Sequence, residues 1–247
     1  MTTNQHQRNN AYWGLGATIT FSLIILFAFI VTQTLIFILY ARNTFSEQLS
    51  IDETAYFNAL LTNGDAISIA EIPAAFIGIA LTFLVIILHK RQSIEDYLHL
   101  YAINSKTLFQ YLAMMVFTII LISIVSALTN HPTPQVMLDI YHSAKHPMLL
   151  WFAIIIAAPF FEEILFRGFL FEGLCHSSVG FIGSAIITSA LWASIHLQYG
   201  LYEIVIIFLV GLLLAYAKVK TGSLYIPIAM HSLMNLSATV EIELNLV

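Results

Sequence analysis

Six side chains in the second half of this 247-residue chain are of types that do chemistry and stand where lipid would surround them: Glu162, Glu163, Arg167, His196, His231 and Asn235. The first three fall within A-P-F-F-E-E-I-L-F-R-G-F-L-F, residues 158–171, in the middle of an apolar block. At the centre of a membrane helix each acidic or basic residue costs about 2.5–3.5 kcal/mol, so three together need compensation. Glu163 and Arg167 are spaced i,i+4, share a helix face and can pair. Glu162 is turned about 100° from Glu163, which leaves it without a partner on its own helix. His196 closes the run S-A-L-W-A-S-I-H, with Trp192 one turn earlier on the same face. His231 and Asn235, in H-S-L-M-N, repeat the i,i+4 spacing and face one way.

Each group also has a structural reading. The Glu/Arg set can lock helices together, a histidine near a helix end is often interfacial, and His with Asn can serve as interhelical hydrogen-bond glue. Two histidines, an amide and a free carboxylate on three separate helices are explained more economically by one hydrated cavity. There a carboxylate and an imidazole can hold and deprotonate water. A second imidazole and an amide can donate to the oxyanion formed when water attacks a carbonyl. Those parts suffice to hydrolyse a peptide bond without a covalent intermediate. Alternatively Glu162, His196 and His231 are ligands to a catalytic Zn²⁺ that activates the water. The sequence leaves these two mechanisms open, because the missing H-E-x-x-H removes only the commonest metallopeptidase layout. A proton-coupled transporter would use the same residues as a relay, although no internal repeat of the kind many carriers show is visible. A non-catalytic immunity or binding protein on a peptidase scaffold is the third use.

The elements that must position these residues follow from composition. Hydrophobic residues make up 59% of the chain and charged residues only 9%, against roughly 25% charged in a soluble domain. The excess falls into apolar segments at 13–40, 67–88, 108–128, 148–174, 178–198, 202–217 and 224–240. A spanning segment must satisfy its own backbone hydrogen bonds, so all are expected to be helices. The fold expected is all-α, a polytopic transmembrane bundle of about seven helices. Residues 1–147 would supply N-terminal helices and loops, and 148–240 the catalytic core. The first block is about 28 residues long, too long for a signal-peptide h-region, which is roughly 7–15 residues. Pro159 lies one turn before Glu163 and is expected to kink its helix. Residues 43–66 and 129–147 read as polar loops, and His131, His142 and His146 as solvated.

With seven spans and the N-terminus inside, Arg8, Lys90, Arg91, Lys106, Lys218 and Lys220 fall in the cytoplasm, and Arg42 and Lys145 outside. A net charge of -5 without a Lys/Arg run argues against nucleic-acid binding. The lone Cys175 can form no intrachain disulfide and no Cys-rich zinc site.

These residues resemble the CAAX prenyl protease and bacteriocin-processing family of intramembrane peptidases, also called CPBP or Abi. Its pattern is E-E-x-x-x-R, then F-x-x-x-H, then H-x-x-x-N. Glu162, Glu163 and Arg167 match the first element, His196 the second, and His231 with Asn235 the third, while Trp192 stands in place of the phenylalanine. The resemblance covers roughly residues 148–237. It implies that Glu162 is the general base, that His196 helps hold the water, and that His231 and Asn235 bind the oxyanion. Glu163 and Arg167 would support them. The family has been discussed both as metallopeptidases and as glutamate-type peptidases. The substrate implied is a peptide or protein, lipid-anchored or membrane-embedded, and the location implied is a prokaryotic cell membrane.

Overall fold

The computed structural model describes residues 11–44 and 60–244. Arg8 and most of the acidic loop 43–66 therefore lie outside the described residues. The helices are α1 (Leu15–Thr44), α2 (Gly64–His89), α3 (Ile94–Leu98), α4 (Ser105–Leu128) and α5 (Gln135–Ser143), followed by α6 (Pro147–Cys175), α7 (Gly180–Ser194), α8 (Leu201–Thr221) and α9 (Tyr225–Glu243). No strand occurs among the described residues. The chain is an all-α polytopic bundle and a multi-pass integral membrane protein. Five helices, α1, α2, α4, α6 and α8, are long and apolar enough to cross a bilayer. The other two expected spans are helical but differ in kind. At 15 residues α7 is short for a hydrocarbon core that takes about 20 residues to cross, and α9 carries His231, Asn235 and two glutamates.

Exposure follows the same logic. Leu23, Phe27 and Leu35 on α1 and Phe109, Phe117 and Leu128 on α4 are exposed apolar side chains, as expected where the solvent is lipid. On α4 Met115 alone is buried, so this helix lies at the periphery. The core gathers around α6, where Phe161, Leu165, Phe166 and Phe169 are almost fully buried. Gly78 of α2 lies against the ring of Phe161, to which an added Cβ would come within 2.3 Å, so only glycine lets these helices approach.

The helix α6 departs from the simple kink expected at Pro159. Two π-helical segments, Phe152–Ala157 and Ile164–Leu170, flank a short α-helical piece that holds Pro159 and both glutamates. The first closes with Ala158 N–H donating to Ala153 O. In that register the next donor would be the nitrogen of residue 159 to Ile154 O. Proline has no N–H to give, so the Ile154 carbonyl is left without a helical partner. π-Segments of this kind are frequent at functional sites.

The long helices run alternately up and down. One end of the bundle joins Tyr12, His99, His176, Glu172 and Lys218: Tyr12 stacks on His176 at 4.0 Å and bonds His99 at 3.1 Å, and Lys218 pairs with Glu172. The opposite end is tied by Tyr141 with Thr239 at 2.6 Å and by Asp65 with His146 at 3.4 Å. The loop 129–147 thus contains a helix, α5, and His146 has a carboxylate partner. His131, His142 and His146 are exposed, as expected, and His131 also stacks on Tyr202 at 3.8 Å.

Candidate active site

Glu163 is the hub. Its side chain is fully buried, and its Oε1 accepts from Arg167 Nη1 at 2.9 Å and pairs with His231 Nδ1 at 3.0 Å. The i,i+4 pairing expected on one helix face is present and reaches a second helix, α9. Arg167 is also wholly buried, and its Nη2 donates to Gly211 O of α8 at 3.4 Å. An added Cβ at Gly211 would meet Arg167 Nη2 at 3.0 Å and Ser189 at 2.9 Å, so this position has no room for a side chain. Glu163 Oε2 and Arg167 Nε have no hydrogen-bond partner among the described residues.

Glu162 points elsewhere, as its helical phase requires. Its partner comes from α7: the Trp192 indole N–H donates to Glu162 Oε2. The same oxygen lies 3.9 Å from His231 Nε2, beyond the range of a direct hydrogen bond. At 14% exposure Glu162 is the more accessible of the two glutamates.

His196 does not sit within a helix. The fifth apolar segment, expected to run to residue 198, ends its helix at Ser194, and His196 occupies the turn beyond. Its Nδ1 lies 2.9 Å from the Trp192 carbonyl. A carbonyl can only accept, so Nδ1 carries the proton, and in the neutral ring the lone pair is then on Nε2. Trp192 therefore links His196 to Glu162.

Asn235 and His231 share one helix face in sequence but serve different neighbours. His231 turns to Glu163, whereas Asn235 Nδ2 donates to Ile154 O at 2.8 Å, the carbonyl that Pro159 leaves unmatched. The structure thus joins Glu162, Glu163, Arg167 and His231 through direct contacts, attaches His196 through Trp192, and places Asn235 on the π-segment of α6.

Residues outside the sequence-derived set also border the cluster. Glu71, the lone acidic residue of the segment 67–88, accepts from Gln33 at 2.5 Å and lies near enough to Glu162 for their charges to interact. Tyr199 follows His196 in the same turn. Burial pushes its phenol up to about 12 against a bond to Gln198, and its charge couples to that of Glu162. A single acid in an apolar span was a signal available for Glu71, but Tyr199 had none. Among the described residues no three His, Cys, Asp or Glu side chains form a group able to hold a metal ion. Glu162, His196 and His231 are donors of the types zinc takes, but the described residues do not bring them together as one such group.

Fold and site together define a class: a helical membrane protein with carboxylates, imidazoles and a guanidinium clustered at bilayer depth. Residues 144–237 match the family model described as type II CAAX prenyl endopeptidase Rce1-like. A relative from Escherichia coli, described as an uncharacterized 24.3 kDa protein, is 36% identical over 89 residues, which are 34% of this chain and 40% of that protein. The chain thus matches less than half the length of this curated relative. No solved structure matches the chain.

Proposed function

We propose that this protein is an intramembrane endopeptidase in which Glu162 activates water against a peptide carbonyl. The observation that carries the reading is the cluster itself. Glu162, accessible and held by Trp192, lies 3.9 Å from His231, which is hydrogen-bonded to a buried Glu163–Arg167 pair. Glu162 Oε2 accepts from the indole, which leaves Oε1 to take the proton of the attacking water and pass it to the amine nitrogen as the C–N bond breaks. The lone pair of His196 Nε2 accepts the second hydrogen of that water. His231 donates to the oxyanion from Nε2. Asn235 retains one amide N–H beyond the bond to Ile154 and adds a second donor. Glu163 and Arg167 do not touch substrate in this reading; they fix His231.

The matched family description points to a prenylated C-terminal peptide as substrate class. The test uses purified chain in lipid vesicles and a fluorogenic peptide ending in a prenylated cysteine and three further residues. Glu162→Ala abolishes cleavage while folded protein in the membrane is unchanged. Cleavage that survives this substitution removes the reading.

The charge contact between Glu71 and Glu162 favours a second reading, a proton relay between carboxylates of α2 and α6. Proton flux across vesicles that stops in Glu71→Gln, in a chain that cleaves no peptide, would support it instead.

A further inference from the structure

Trp192 touches four of the six candidate residues. Its indole N–H reaches Glu162, its carbonyl holds His196, its ring faces the Arg167 guanidinium at 4.3 Å, and His231 meets it edge-on at 5.1 Å. We propose that Trp192 is a positioning residue, whose N–H holds one oxygen of Glu162 and thereby aims the other at the attacking water. The proposal rests on the peptidase reading above and adds to it what orients the base.

The argument is geometric. The side chain is 1% exposed, and a buried indole N–H needs an acceptor. The ring cannot swing away from Glu162, because the cation lies over its face and the imidazoles of His231 and His196 flank it edge-on, at 5.1 and 5.4 Å. The donor direction is therefore set by the neighbours. The indole addresses Glu162 Oε2, so Oε1 is the oxygen left for proton transfer. The backbone of the same residue directs the second imidazole through His196 Nδ1. A phenylalanine here, as in the motif this segment resembles, would fill the ring position and supply no donor.

The experiment compares the full chain and Trp192→Phe in lipid vesicles with the prenylated fluorogenic peptide. The expected result is a kcat lower by roughly ten- to hundredfold, the range for losing a hydrogen bond to a charged group, with KM unchanged. A second readout does not depend on how well that variant folds. In a chain with Trp13→Phe and Trp151→Phe, the ultraviolet resonance Raman band that reports indole N–H hydrogen bonding comes from Trp192 alone. It is expected to shift to the weakly bonded position on Glu162→Ala. Wild-type kcat in Trp192→Phe, a change confined to KM, or an unshifted band would each overturn the proposal. Cleavage persisting in Glu162→Ala would instead defeat the peptidase reading, while the Raman band judges the contact separately.

Discussion

The two adjacent glutamates look alike in sequence, yet their surroundings give them different work. Glu163 is sealed between a guanidinium and an imidazole, whereas Glu162 keeps some exposure and a single indole donor. Glu163→Gln leaves the shape but removes the charge that Arg167 and His231 share. An uncompensated buried arginine costs about 3–5 kcal/mol. Less folded protein and a lower thermal midpoint are expected, in contrast with Glu162→Ala, which is expected to fold normally and lose turnover. Thermal unfolding of the two purified variants side by side checks this contrast. The i,i+4 rule made the Glu163–Arg167 pair legible. It put His231 and Asn235 on one face but did not show that His231 bonds Glu163 and Asn235 bonds Ile154 O, because helical phase says which face a side chain shares and nothing about which neighbour lies opposite.

At the scale of the element, α6 shows how one missing hydrogen bond is answered from another helix. Pro159 withholds the N–H that Ile154 O would accept in the π register, and the Asn235 amide supplies it. An unsatisfied buried carbonyl costs about 1–3 kcal/mol. In a chain of this size that lowers the melting midpoint by roughly 2–12 °C. Asn235→Ala is expected to show this loss in the Pro159 background and little of it in Pro159→Ala, where the backbone donor returns. Equal losses in both backgrounds, measured by thermal shift in detergent, would show that the two residues are not coupled. The proline announced a disturbance in the helix, but its form as two π-segments was hidden, because register depends on how α2, α8 and α9 crowd around α6.

For the whole molecule, the described basic residues Lys90, Arg91, Lys106, Lys218 and Lys220 lie in or next to the terminal turns of helices at one end of the bundle, with Arg42 and Lys145 at the other. By the positive-inside rule the first end is expected to face the cytoplasm. Single cysteines at Lys106 and Glu203, in a Cys175→Ser background, are expected to react with a membrane-impermeant maleimide from the inside and outside respectively. At the basic end His99 links α3 to the Glu172–Lys218 pair. Burial, then Lys218 and His176, push its pKa down to about 4, while Glu172, 3.6 Å away, is committed to Lys218. The unfolded chain therefore takes up this proton more readily than the folded one. Stability is full above about pH 6.5, the ordinary histidine value, and falls as pH drops from there toward 4. His99→Gln is expected to flatten that slope in melting curves taken across this interval.

Composition and block length alone determined that the chain is helical and membrane-embedded, since few charges and long apolar runs leave no other way to satisfy the backbone. The same reasoning marked the intramembrane Glu, Arg, His and Asn residues, because their cost in lipid makes them visible without any partner. Which of them meet was decided only by tertiary packing. Trp192 became the partner of Glu162, Asn235 was drawn to Ile154, His196 fell in a turn, and Glu71 was brought up to the cluster from a distant helix. Those contacts depend on helix rotation and close approach between elements remote in sequence, set by residues such as Gly78 and Gly211 whose role is to leave room.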